Sequence, residues 1–299
     1  MPPSASGSGM RISNSLTQQR VLRDLQGNLA RLAAAQSQVS TGKRFEAMSE
    51  DPLAGIQVLG ADQGLRAIAQ YRRNSTAAQT RIDAEESILG QVTDLLTRAK
   101  ELAIQEGTAS STPQTRAMVK SEVDQILGQV VALGNTQVGN EYIFAGHQVG
   151  TVPFDTAGAY FGDAGQRMVE VGQGYTMPAN HSGRELLVDS GVIAALQQLS
   201  TELGTGSPAT IGPVAGSIDT AFDNVQALLA VNGSRARQIE SAMQNSDALE
   251  ATHTQRKSDA QDIDMAAATS RFVSAQNTLQ AALLSTSRLI STSLTDYLR

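Results

Sequence analysis

Histidines and cysteines are the usual ligands of a protein-bound metal, and this chain offers few of them. It has no cysteine, which excludes disulfides, thiolate metal sites and a cysteine nucleophile. His147, His181 and His253 are far apart in the sequence, and none belongs to an HxxxH or HExxH pattern. The spacing therefore gives no support for a zinc site or any other metal, and we predict exposed or loop positions for all three histidines.

Paired carboxylates could act as a general acid and a general base if both pointed into one cleft. The two candidate pairs, Glu85-Glu86 and Glu50-Asp51, consist of residues that are adjacent in the sequence. Adjacent residues on a helix point in different directions, so neither pair would share a proton. We interpret these acids as solvated helix faces or helix caps, and the sequence predicts no catalytic residue.

Two glycine-containing segments have part of the pattern of a nucleotide-binding loop. Residues 172–174, Gly-Gln-Gly, lack the third glycine and the strand-to-helix context of a dinucleotide loop, so a β-turn is predicted there. Gly42-Lys43 lacks the first glycine of a phosphate loop, because Ser37 stands at that position, and Arg44 replaces the required hydroxyl residue. This second segment is predicted to end a helix, and no cofactor is expected.

The composition favours long packed helices over an enzyme with a ligand pocket. Only 4% of the residues are aromatic and none is tryptophan, so the aromatic anchors that are common in pockets are scarce. The 40% of hydrophobic residues are too dispersed for a membrane-spanning helix. Because the net charge is -6 and no basic run occurs, nucleic acid is not expected as a partner. We predict a protein that is not an enzyme and binds neither nucleic acid nor membrane.

Matching apolar patterns near the two ends of the chain indicate the elements that matter most. Steps of three and four residues predict a first helix over about 15–40 and a last helix over about 264–298. Between Phe272 and Thr295 the only charged residue is Arg288, and the apolar surface is wider than one partner helix would cover. We therefore predict assembly between subunits. The predicted assembly interface consists of Leu22, Leu25, Leu29, Leu32, Val39, Phe272, Leu279, Leu283, Ile290, Leu294 and Tyr297.

The middle of the chain reads as further helices around a β-rich insertion. Asp51-Pro52 and Thr112-Pro113 each predict an N-cap followed by proline at the first helical position, and the polar pair Asn74-Ser75 marks a candidate break in the second helix. Glycines and short β-type runs predict a small β-rich insertion from about Glu141 to Leu187, with an aromatic core of its own. A short helix, a loop over 204–216 and a long helix should follow.

These elements define a mainly α fold, a long α-helical coiled-coil rod built from both termini with a small β-rich inserted domain. Residues 1–9 are expected to be an unstructured leader in front of a natural start at Met10. The predicted domains are a terminal coiled-coil domain (10–50 plus 256–299), an α-helical rod domain (51–139 plus 205–255) and the β-rich inserted domain (140–204).

Several motifs resemble one bacterial family. Residues 38–44 (QVSTGKR) followed by 51–55 (DPLAG) resemble the segment after the first helix of bacterial flagellins and of the hook-filament junction proteins related to them. Residues 98–105 look like the later part of the same N-terminal region, and residues 262–298 resemble the matching C-terminal helix. The start at Met10 and the run 141–146 are closer to the junction proteins than to flagellins, although Thr295 stands where an aromatic residue is common.

The resemblance to the junction proteins implies a structural adaptor of the bacterial flagellum. Such an adaptor would join the hook-side junction protein to the flagellin filament by packing of its terminal helices. The implied partners are further copies of itself in a ring or tubular layer, the first hook-filament junction protein, flagellin, and a flagellar export chaperone at the C-terminal helix. The implied location is the extracellular flagellum, reached by type III export without a cleaved signal peptide.

Two alternatives remain open from the sequence. The chain could be a flagellin, that is, a filament subunit rather than an adaptor, and self-polymerisation would distinguish this role. It could also be a surface recognition module whose β-rich insertion binds a carbohydrate or a receptor, which would need exposed aromatic residues at Tyr160, Phe161 or Tyr175. We expect these aromatic residues to form the core of the insertion instead.

Overall fold

The computed structural model of the chain describes residues 8–108 and 111–297, and it describes side chains from Leu16 to Ser287 apart from residues 17, 18, 109 and 110. The fold is mainly α, as predicted, with two short β-hairpins and a π-helical turn between the third and fourth helices. The elements in chain order are α1 (Ser8–Thr41), α2 (Pro52–Glu106), α3 (Pro113–Gly134), β1 (Gln137–Val138), β2 (Glu141–Tyr142), β3 (Met168–Gly172), β4 (Tyr175–Pro178), the π-helix (Arg184–Asp189), α4 (Val192–Thr205), α5 (Pro208–Ile211), α6 (Val214–Gln261) and α7 (Met265–Tyr297).

The chain forms two compact units. The terminal unit contains both ends of the sequence, Met1–Leu65 and Ala251–Arg299, and the middle unit is Arg66–Glu250. Helices α2 and α6 each contribute one end to the terminal unit and the rest to the middle unit. The terminal unit therefore combines α1 and α7 with the first residues of α2 and the last residues of α6.

Local capping chemistry sets the helix ends that the sequence predicted. Asp51 Oδ1 accepts a hydrogen bond from the backbone N–H of Ala54 at 3.1 Å, which confirms Asp51 as the N-cap of α2. Thr112 caps α3 in the same way, in a capping box with Thr115. Gly42 has a φ of +69°, and it ends α1 as predicted because glycine adopts this left-handed conformation without strain.

Three details of the predicted helices were wrong. Helix α2 runs unbroken through Asn74 and Ser75, because the Asn74 side chain donates to the carbonyl of Glu170 on β3 (2.8 Å) and Ser75 is buried. Helix α1 begins at Ser8, inside the expected leader, whereas residues 1–7 of that leader lie outside the described part of the chain. The short helix α5, which begins at a proline and has its own capping box, occupies part of the predicted loop 204–216.

The inserted segment shares the core of the middle unit, so the prediction of a separate small core was wrong. Phe144 and Phe154 from the insertion pack in one buried cluster with residues of α2, α3, α4 and α6, including Leu96 and Leu196. The β3–β4 hairpin turns at Gly174, which has a φ of +67°, and this confirms the β-turn predicted for residues 172–174. Val171 and Met177 of this hairpin pack in a second cluster with side chains of α2 and α6.

Two glycines of α3 should respond in opposite ways to alanine. A Cβ at Gly134 would lie 2.7 Å from Leu187 Cδ1 and 2.8 Å from the Phe154 ring, whereas a Cβ at Gly128 would meet no atom within 4 Å. We expect Gly128→Ala to raise the free energy of unfolding by about 0.5–1 kcal/mol, since alanine favours a helix interior over glycine. Gly134→Ala should lower it by about 1–3 kcal/mol by overpacking. Urea denaturation of both variants measures the difference, and equal effects would contradict this packing.

Candidate assembly surface

Helices α1 and α7 of the terminal unit pack against each other along a narrow seam. The buried and half-buried residues recur in alternating steps of three and four on each helix, which is the spacing of a coiled-coil seam. The seam residues are Leu25, Asn28, Leu32, Ala35 and Val39 on α1, and Ala268, Phe272, Ala275, Leu279, Ala282 and Thr286 on α7. Small residues occupy many of these positions, so the seam buries little apolar surface.

The structure divides the predicted assembly residues between this seam and the outside of the helix pair. Leu25, Leu32, Val39, Phe272 and Leu279 lie half-buried in the seam. Leu22, Leu29 and Leu283 are instead exposed. The side chains of Ile290, Leu294 and Tyr297 lie outside the described residues, although all three belong to α7.

The sequence could not separate these two sets because both registers of α1 carry apolar residues. Val21 and Leu22 are adjacent, and the same step of three or four leads from either of them to further apolar residues. Only contact with α7 determines which register lies inside. The predicted assembly residues therefore belong to two surfaces, the seam within one subunit and a second apolar stripe on the outside of the helix pair.

Five of the exposed large apolar residues of α1 and α7 define what we call the outer surface: Leu22, Leu29, Val273, Leu283 and Leu284. Leu22 is 57% exposed and Leu29 is 50% exposed. Full burial of a leucine contributes about 1.5–3 kcal/mol, so covering the exposed half of each side chain would contribute about 1 kcal/mol. The outer surface can therefore stabilise contacts with another chain by several kcal/mol.

A groove on the other flank of the helix pair is polar. It has a volume of about 570 Å³, and its lining includes Arg31 of α1, Arg271 of α7 and small residues such as Ala34 and Ser274. Neither guanidinium forms an ion pair with the part of the chain that the structure describes. Helix α1 carries four arginines against one acid, Asp24, although the whole chain has a net charge of -6. The terminal helices are thus locally basic.

A buried charged cluster in the middle unit contradicts the prediction for Glu85. Glu85 of α2 and His181, which precedes the π-helix, are both buried, and Glu85 Oε1 bonds to His181 Nδ1. The backbone N–H of His181 donates to Glu85 Oε2 at 3.3 Å, and a guanidinium nitrogen of Arg235 of α6 lies 3.3 Å from His181 Nδ1. Burial lowers the pKa of Arg235, while the charges of Glu85 and Glu185 oppose this shift.

The predicted solvation of Glu85 was therefore wrong, whereas His181 is buried but lies in a loop, which is one of the two positions predicted for it. Local spacing could not have shown this contact because the two residues are 96 positions apart. The cluster fastens the inserted segment to two long helices. Of the other histidines, His147 is exposed as predicted, whereas His253 is half-buried within α6, so the prediction for His253 was wrong. Within residues 8–108 and 111–297, no group of three or more histidine and acidic residues could hold a metal ion.

The aromatic residues of the insertion take both kinds of position. Phe144 and Phe154 are buried, and the Tyr160 hydroxyl lies 2.9 Å from the carbonyl of Phe144. Burial, with a contribution from the charge of Asp163, raises the pKa of Tyr160 to about 12. Phe161 and Tyr175 are exposed, and the Tyr175 hydroxyl donates to the Gln238 side chain at 3.1 Å. The prediction that these aromatic residues form the core was therefore wrong for Phe161 and Tyr175.

The described helices include none that is long and apolar enough to cross a membrane.

Comparison with known proteins shows the family to which the chain belongs. The family model of the bacterial flagellin N-terminal helical region matches residues 7–149, and the model of the bacterial flagellin C-terminal helical region matches residues 215–298. The chain belongs to the flagellin family.

Within that family, one relative is similar to this chain over nearly the whole length of both proteins. The flagellar hook-associated protein 3 of Escherichia coli K12 is 27% identical over 91% of this chain and 94% of its own length. The flagellin of Clostridium tyrobutyricum is 24% identical over 50% of this chain and 40% of its own length. The crystal structure of the flagellar junction protein FlgL from Legionella pneumophila covers 69% of this chain and all of that one, with a TM-score of 0.58. At 16% sequence identity, this structural likeness shows a shared fold alone.

Proposed function

We propose that this chain is a structural adaptor of the bacterial flagellum that assembles at the hook-filament junction through its terminal helices. The main support is the outer surface of α1 and α7, whose leucines remain exposed after the seam between the helices has formed. The full-length similarity to hook-associated protein 3 supports the junction, whereas the similarity to the Clostridium flagellin ends at half of the chain. A filament subunit is therefore the weaker alternative.

The partners and the location follow as parts of the same proposal. The outer surface would pack against equivalent helices of further copies, of the hook-side junction protein and of flagellin, in a ring or tubular layer. The seam residues Leu25, Leu32, Val39, Phe272 and Leu279 would hold the two helices together, and Ile290, Leu294 and Tyr297 would extend the interface. An export chaperone would cover the C-terminal helix before type III export to the extracellular flagellum. The adaptor would have no catalytic activity.

Replacing Leu283 with aspartate should block incorporation of the chain at the junction. The new carboxylate would be buried without a partner when another helix covers the outer surface. In a strain that lacks the wild-type chain, we expect Leu283→Asp to give hooks without filaments in electron micrographs and a loss of swimming. Circular dichroism should show that the purified variant keeps its helices.

Ser274→Asp is the matched control, since it adds the same charge at an exposed polar position of α7 on the other flank of the helix pair. We expect filaments of normal number with this variant. Normal filaments with Leu283→Asp as well would refute the assignment of the outer surface. Purified wild-type chain that grows into long filaments by itself would favour a flagellin over an adaptor.

A further inference from the structure

The first turns of α2 and the segment just before them, in the terminal unit, carry a second exposed apolar surface that the proposed function has not used. We call it the α2 patch and define it by Met48, Leu53 and Ile56, of which Leu53 is 77% exposed and Ile56 is 68% exposed. The opposite face of the same helix is already buried, with Ala54 and Val58 packed in a cluster with Phe45 and Ala260. The α2 patch therefore contributes nothing to the core of its own subunit.

The shape and charge of the α2 patch indicate what could cover it. Gly60 lies one turn beyond Ile56, and no atom lies within 4 Å of the place where a Cβ would stand, so the helix backbone is openly accessible there. Glu46 and Glu50 precede the helix, are exposed, and form no ion pair within the described chain. An apolar patch with acidic neighbours fits a partner that presents leucines together with basic residues.

Helix α1 presents such a surface on its exposed side. Leu22 and Leu29 are seven residues apart and both are exposed, which places them about 10.5 Å apart along one face. Leu53 and Gly60 are also seven residues apart on α2, so the two spacings match. Arg23, next to Leu22, forms no ion pair within the part of the chain that is described. One leucine could lie on the accessible backbone at Gly60 while the other covers Leu53.

We propose that the Leu22–Leu29 face of α1 in one copy docks on the α2 patch of a second copy. The inference rests on the proposed function, because it names the counterpart of the outer surface in an assembly of identical chains. The two contacting surfaces differ, so the contact is head-to-tail, and such contacts generate rings or helical layers instead of closed dimers. Acidic Glu46 and Glu50 disfavour an anionic lipid surface as the occupant, and they complement Arg23 of the neighbouring copy.

Disulfide cross-linking can test this contact cleanly because the chain has no cysteine. One population of full-length chain carries Leu29→Cys and the other carries Ile56→Cys, and both are produced together in cells that assemble flagella. After oxidation of isolated flagella, we expect a covalent dimer that links position 29 to position 56. Leu29→Cys paired with Met118→Cys is the control, since Met118 is equally exposed but belongs to α3 of the middle unit.

The outcomes separate this inference from the proposed function. If both variants enter the flagella but the 29–56 dimer is no more abundant than the control dimer, the docking contact is wrong and the junction role stands. Dimers that link 56 to 56 in preference would show a symmetric contact and would also overturn the inference. If neither the variants nor the wild-type chain enters flagella, the proposed function fails and the docking contact fails with it.

A charge exchange provides an independent measurement. Arg23→Glu and Glu50→Arg should each reduce the yield of the 29–56 dimer about fivefold, because each places like charges together at the contact. The chain that carries both substitutions should restore the yield, since opposite charges then meet again between copies. A double variant that is as poor as either single variant would contradict the proposed pairing of Arg23 with the acidic side of the patch.

Discussion

Glu85→Ala is expected to lower the free energy of unfolding of the middle unit by about 3–5 kcal/mol, whereas Glu86→Ala should change it by less than about 0.5 kcal/mol. The two glutamates are adjacent in α2, but Glu85 is buried against His181, which Arg235 contacts in turn, while Glu86 is exposed. The large difference follows from this contrast in burial. Both substitutions remove the same side chain from the same helix, so helix propensity cancels in the comparison.

The expected loss arises from what the substitution leaves behind. Without the carboxylate, the backbone N–H of His181 loses its acceptor, the His181 ring loses a hydrogen-bond partner, and the guanidinium of Arg235 stays buried. Glu185 is then the remaining acid that acts on Arg235, and its effect on the pKa of Arg235 is smaller than that of Glu85. Removing one partner from a buried ion pair is more costly than the net value of the pair, since an uncompensated charge remains.

Tyrosine fluorescence during urea denaturation provides the measurement. The chain has five tyrosines and no tryptophan, and Tyr71, Tyr142, Tyr160 and Tyr175 all belong to the middle unit. The signal therefore reports mainly on the unit that contains the cluster. A shift of the midpoint for Glu85→Ala that is no larger than the shift for Glu86→Ala would show that the buried cluster does not hold the insertion in place.

The parts of the fold that depend on neighbouring residues could be predicted from the sequence. Asp51 and Thr112 cap helices by bonding to N–H groups three residues away, so the sequence pattern contains the whole interaction. The same holds for Gly42, whose lack of a side chain permits the left-handed conformation. For these features local chemistry and tertiary structure agree, and prediction succeeds.

Several of the features that prediction missed depend on contacts between distant segments. Asn74 resembled a helix breaker because its partner, the carbonyl of Glu170, is 96 residues away. Leu22 and Leu25 could not be assigned to different faces until α7 was placed beside α1. The family resemblance indicated the role of the terminal helices, but it did not indicate which of their leucines remain exposed for a partner.

The overall charge of the chain was equally uninformative about its surfaces. A net charge of -6 conceals a basic α1, with Arg23 beside the exposed Leu22, and an acidic segment around Glu50 beside the α2 patch. Opposite local charges on two exposed apolar surfaces of one chain favour contact between different copies and select its register. The assembly that we propose therefore depends on the distribution of charge and not on its sum.

Phe154→Ala is expected to lower the free energy of unfolding of the middle unit by about 3–5 kcal/mol, because it empties a closely packed slot in the core. The ring is 1% exposed and lies 5.1 Å from the ring of Tyr160. Gly134 and Gly183 form the walls of the slot, since a Cβ on either would lie 2.8 Å from the Phe154 ring. Walls made of helix and loop backbone cannot collapse easily into the cavity, which places the loss in the upper half of this range.

The backbone of Phe154 is fixed as firmly as its ring. Its N–H donates to Asn135 Oδ1 at 2.9 Å, and Asn135 Nδ2 donates to its carbonyl at 2.9 Å, so the insertion is bonded to the end of α3 at this residue. Phe161→Ala is the matched control, because it removes the same ring from a position that is 58% exposed and should change stability by less than about 0.5 kcal/mol. Urea denaturation followed by tyrosine fluorescence compares the two variants. Similar midpoints would mean that Phe154 does not anchor the insertion to the helices, and a loss confined to Phe154→Ala would establish that it does.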